Sequence, residues 1–137
     1  MLIIKRMMNF PLRFSMLQRS RRIRRLILAF GSPICCPSVT YSNILPRPLF
    51  DTGMKNSCDY KAWSEISLFN GSFVYCPKKL VGHRIHAEAA TSVNIKDNSR
   101  SNEDFEIISS FWPKWLAKII FKFYKKAEKS NNHGFSA

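Results

Sequence analysis

Residues 65–76 read EISLFNGSFVYC, two runs of β-favouring residues divided at their centre by Asn70-Gly71. A type I′ turn needs positive φ at both central positions, and Asn-Gly meets that need better than almost any other pair. A two-residue loop there would set Phe69 opposite Ser72, Leu68 opposite Phe73, Ser67 opposite Val74 and Ile66 opposite Tyr75. In that register Ile66, Leu68, Phe73 and Tyr75 share one apolar face, and Glu65, Ser67, Phe69, Ser72, Val74 and Cys76 share a mixed one. The turn and the alternation agree, which predicts a β-hairpin ended by Pro77.

A second alternation lies downstream. Val81, Ile85, Ala87, Ala89, Thr91, Val93 and Ile95 hold odd positions against polar residues at most even ones, which predicts a third strand, bent or split in two. The acidic stretch 97–110 follows, and then Phe111 to Lys129 shows helical periodicity. Trp112, Trp115, Leu116, Ile119, Ile120, Phe123, Tyr124 and Ala127 recur at i, i+3, i+4 and i+7, with lysines turned away and Phe121 alone on the basic side. Pro113 is tolerated in the first turn, so the helix is expected to begin near residues 110–112. The fold expected is therefore α+β, a small antiparallel β-meander with one C-terminal amphipathic helix across it.

Upstream the chemistry changes. Residues 1–50 carry nine cations and no acid, whereas residues 51–137 carry thirteen cations and nine acids, within a net charge of +13. On a helical wheel Leu12, Met16, Ile23, Leu26, Ile27 and Phe30 cluster on one face, and Arg21, Arg22, Arg24 and Arg25 fall on the other. An Arg-rich, Ser-containing, acid-free amphipathic start is the pattern of a mitochondrial presequence: positive charge follows the membrane potential while receptors grip the apolar side. Three rivals stand beside it. A secretory signal needs a longer apolar stretch than the one that Gly31-Ser32-Pro33 interrupts. The arginines from Arg19 to Arg25 also suit a nuclear-localisation or nucleic-acid patch. Cys35-Cys36 beside a polybasic helix suits palmitoylation.

From Gly31 to Pro48 four prolines lie among serines and cysteines, an extended linker. The expected organisation is a presequence-like segment at 1–30, a linker at 31–57, the α+β unit at 58–130 and a frayed tail at 131–137. At 137 residues and 15.9 kDa the chain has room for one core. Its 45% apolar and 23% charged residues exclude wholesale disorder, and no apolar run approaches the ~18 residues of a membrane span.

Chemistry-bearing motifs are sparse. Cys58, Cys76, His83 and His86 form C-x17-C-x6-H-x2-H, which lacks the close ligand pairs of structural zinc sites and sets the two histidines on opposite faces of a strand. No metal or cofactor is assigned. In an oxidising compartment Cys58 and Cys76 would be the first pair to test for a disulfide. Nucleophile-elbow, phosphate-loop and dinucleotide motifs are absent, and Glu103, Asp104 and Glu106 suit the approach to a helix N-terminus. The expected role is non-enzymatic: a mitochondrial accessory protein bound peripherally to an anionic membrane or a membrane complex. Trp112, Trp115, Ile119 and Phe123, with Lys118, Lys122, Lys125 and Lys126, would make the contact. The alternatives are a nucleic-acid or ribosome-associated protein using the same lysines, nuclear in location if the arginines serve there, and a reading frame with no selected function.

Overall fold

A computed structural model describes residues 2–45, 47–50, 53–78, 80–82 and 99–132. Among them are six α-helices and no strand. They are α1 (Leu2–Asn9), α2 (Ser15–Gln18), α3 (Arg21–Leu28), α4 (Cys58–Ile66), α5 (Ser99–Ser109) and α6 (Lys114–Asn132), with 3₁₀ turns at Phe10–Arg13 and Cys36–Ser38. The expected α+β meander is thus replaced by a helical fold. The third strand expected over 81–95 lies outside the described residues from position 83 on, as do the histidines of the zinc-like pattern, His83 and His86.

The hairpin fails because its first strand begins inside α4, which runs to Ile66, and goes on as turn from Ser67. In α4 and its C-cap, Tyr60, Trp63, Ser64 and Ser67 follow one another at i, i+3, i+4 and i+7, and all four are buried. Two aromatic side chains bury on the order of 300 to 500 Å², whereas a free two-stranded hairpin is marginal in water. Asp59 sits in the first turn, where the helix dipole favours it, and Lys61 pairs with Glu65 one turn on. The turn chemistry also differs: Gly71 has φ of +141°, but Asn70 is not in the left-handed region, so no type I′ turn forms. The exposure is inverted, with Ser67 fully buried and Leu68 half in water. Residues 73–76 keep a period of two, Phe73 and Tyr75 half-buried and Val74 and Cys76 exposed. Their N–H groups reach the N-terminal segment instead, Phe73 to the Gln18 carbonyl at 3.0 Å and Tyr75 to that of Leu12 at 3.5 Å.

The core joins α3, α4, α5 and α6 through Leu28, Tyr60, Ala62, Trp63, Ile107, Ile108 and Ala117. Helices α5 and α6 form an αα-hairpin. Ser110 and Phe111 close α5 with N–H bonds to Glu106, Ile107 and Ile108, and the Pro113 carbonyl accepts the Ala117 N–H to open α6. That short turn moves the start of α6 beyond the expected 110–112. The acidic stretch is structural too. One Glu103 carboxylate accepts the backbone N–H groups of Lys55, Asn56 and Ser57 at 2.8 to 2.9 Å, holding the chain that enters α4. Burial opposes its ionisation, but those three N–H groups and the Lys55 charge prevail and keep it below the ordinary glutamate range. Buried Asp104 accepts from the hydroxyls of Ser57 and Tyr124.

The N-terminal helices belong to this body. Leu28 is fully buried in the core, and the last carbonyls of α3 accept bonds from remote side chains: Leu28 from the Tyr60 hydroxyl and Ala29 from the Trp112 indole at 2.8 Å. Gly31 then turns the chain with φ of +126°, and a Cβ there would lie 2.7 Å from the Tyr124 ring. Gly71 has a similar φ but open space around it. Gly31→Ala should therefore lower stability by about 2 kcal/mol or more, and Gly71→Ala, strained in φ but uncrowded, by only about 1 kcal/mol. Urea midpoints of the two variants against the parent chain measure the difference, and equal losses would show that Tyr124 does not crowd Gly31.

Candidate membrane-binding surface

The sequence of α6 is apolar over so much of its circumference that the core uses only part of it. Ala117 is fully buried, and Ile120, Phe121 and Tyr124 pack against the core beside it. Small Ala117 lets the helix backbone approach α5 closely, while the Phe121 ring meets Phe105 at 5.2 Å and Tyr124 at 6.1 Å. Phe121, expected to stand alone on the basic side, is therefore a packing residue. Its ring carries the Lys125 ammonium at 5.4 Å from its centroid.

The opposite face holds what remains. Trp115, Ile119 and Phe123, four residues apart, are 66%, 48% and 70% exposed. At 100° per residue each step of four advances 40°, so the three lie along a single slanted stripe. Lys118, Lys122 and Lys126 are exposed beside it, and Lys114 is exposed at its start. Of the eight residues expected to make the contact, the structure brings together Trp115, Ile119, Phe123, Lys118, Lys122 and Lys126. Lys125 is half-buried at the edge over Phe121. Trp112 stands apart, its indole spent on Ala29 and its ring 5.4 Å from Phe30.

The arginines expected to form a targeting face divide in the same way. Arg21 and Arg22 are exposed, Arg25 is half-buried with its guanidinium 4.6 Å from the centroid of the Phe111 ring, and Arg24 is 3% exposed. Arg24, Ile27 and Leu28 follow at i, i+3 and i+4. That spacing placed Arg24 on the core side of α3. The apolar face expected for one continuous helix is also split, for Leu12 and Ile27 are buried while Met16, Leu26 and Phe30 are about half exposed or more.

Among the described residues no three histidine, cysteine or acidic side chains gather as metal ligands, and no helix is long and apolar enough to cross a membrane. No family model matches the chain, and no curated protein or solved structure is detectably similar to it. The surface has to be read from its own chemistry: an aromatic and aliphatic stripe, flanked by unpaired lysine-bearing surface, on a helix already anchored by its other side. If the stripe serves no packing need, Trp115→Ala/Phe123→Ala should leave stability within about 0.5 kcal/mol, while Ile120→Ala should cost about 1 to 2 kcal/mol. Urea unfolding of both variants tests this. A large loss in the double variant would assign the stripe to the fold.

Proposed function

We propose that the chain associates peripherally with an anionic membrane through the outward stripe of α6. The observation that carries this reading is the exposure of Trp115, Ile119 and Phe123 on a helix whose packing needs are met by Ala117, Ile120, Phe121 and Tyr124. A helix lying in the interface buries its apolar face at the acyl boundary and sets its cations among the headgroups. Each lysine near an anionic surface contributes about 1 kcal/mol, and each fully buried large apolar side chain about 1.5 to 3 kcal/mol. Phosphate contact with RNA would use the same lysines but leave the stripe without a role, since stacking on unpaired bases favours aromatics displayed across an open sheet.

The address proposed for this membrane is mitochondrial, on the strength of the acid-free, arginine-rich N-terminus. The packing of α3 adds a condition. A mature chain beginning after residue 30 would lose Leu28 from the core and both carbonyls that Tyr60 and Trp112 engage. The proposal is therefore of import with α3 retained. Mass spectrometry of the N-terminus of the chain recovered from mitochondria tests both parts: residues 21–28 should be present. Recovery only from nuclei or the secretory route, or a chain cut after Phe30, would refute it.

Membrane attachment is tested on the full chain with vesicles of phosphatidylcholine containing cardiolipin, over a salt series. Trp115→Ala/Phe123→Ala should weaken binding at least about tenfold even at low salt, because the apolar contribution is unscreened. Vesicle binding indifferent to that change, or affinity for RNA alone with a steep salt dependence, would replace this reading with one based on phosphate contacts.

A further inference from the structure

Apart from α6, the molecule holds a second site-like feature, an open cavity of about 940 Å³ lined by the N-terminal segment, the linker and the chain that follows α4. Its volume is within the range of small-molecule sites. Leu12, Ile34, Val39, Leu45, Ile66 and Phe73 supply apolar wall, and exposed Ile44, Val74 and Leu80 continue that surface toward water.

One group in this wall is out of keeping with the rest. Arg24 lines the cavity and is 3% exposed, yet its partners are neutral, the Phe69 carbonyl at 2.8 Å from Nη2 and the face of Phe73 at 5.5 Å. Its Nε has no hydrogen-bond partner, and neither has the indole Nε1 of Trp63, which lines the same cavity and is also buried. Both are donors that cannot accept. Among the described residues, those around the cavity include Arg24 and Lys78 and no aspartate or glutamate. A buried guanidinium without an opposing charge is costly, and Arg21 nearby adds repulsion.

We propose that this cavity binds a single-chain amphiphile with an anionic head, of the fatty carboxylate kind, the head beside Arg24 and the chain along the apolar wall. The carboxylate supplies the negative charge that Arg24 does not meet among the described residues. Its hydrocarbon covers the apolar surface that runs out to Ile44, Val74 and Leu80. The site is separate from the stripe of α6, and the proposal does not depend on membrane attachment.

The test is calorimetric titration of the full chain, below micellar concentrations, with laurate, dodecanol and dodecyltrimethylammonium. Laurate should bind saturably, one per chain, at least about tenfold more tightly than dodecanol, and the cation should not bind. Arg24→Gln should bring laurate down to the level of dodecanol. Thr40→Trp, at an exposed position on the cavity lining, should weaken both. Trp115→Ala/Phe123→Ala should change neither by more than about twofold, well under the ~1.4 kcal/mol of a tenfold effect. Equal affinity for acid and alcohol, binding unaffected by Thr40→Trp, or binding lost with the α6 variant would each overturn the proposal. Should Arg24→Gln fail to fold, the head-group comparison and Thr40→Trp decide the matter with Arg24 in place.

Discussion

The end of α3 is the point on which the structure turns. A helix terminates with carbonyls that have no partner of their own, and burying them unpaired is expensive. Here Leu28 sinks into the core, and besides the local Gly31 N–H its helix end is closed by donors from elsewhere. Tyr60 and Trp112 bring them, one from α4 and one from the turn before α6. Gly31 lets the chain leave at once by a route no other residue takes without strain, tight against Tyr124. Three helices are therefore placed by one four-residue corner, and the stripe of α6 faces outward because Tyr124 and Ala117 are held inward.

Acidic residues reinforce the same arrangement and alter the surface by doing so. Glu103 turns its charge onto three backbone N–H groups before α4, and Asp104 is buried between Ser57 and Tyr124. These carboxylates serve the interior, so less negative charge faces water than composition alone implies. Cations are drawn inward as well, Arg24 by burial and Arg100 to within 3.8 Å of Asp104, so the chain keeps the marked positive balance of its formal +13. An anionic surface is a natural counterpart for it.

The helical period of α6 and the excess of cations were legible in the sequence; the phase of that helix and the nature of residues 58–69 were not. Local pattern in SLFNGSFVY satisfies a hairpin, and nothing within those residues reports that Tyr60 and Trp63, just upstream, gain more by facing Leu28 and Ile108. The i, i+3, i+4, i+7 spacing of Tyr60, Trp63, Ser64 and Ser67 was the available signal, obscured because two of the four are serines. In α6, apolar residues cover more than half the circumference, so either half was a candidate for the core. Small Ala117 and flat Phe121 settle it through shape, which hydropathy does not register. Buried Arg24 was hidden for a related reason: a charged residue is assigned to water until its neighbours at i+3 and i+4 prove to be core.

The closure of α3 also sets an order in time. The carbonyl of Leu28, bonded locally to the Gly31 N–H, gains a hydroxyl 32 residues away, and that of Ala29 meets an indole 83 residues away. Contacts so distant along the chain form late, after the loop between them has been closed. During synthesis the arginine-rich N-terminus therefore emerges ahead of every remote group that closes it, from Tyr60 to Trp112. The same residues that end up as masonry are, for that interval, open to any receptor that reads a basic amphipathic segment before the fold takes it in.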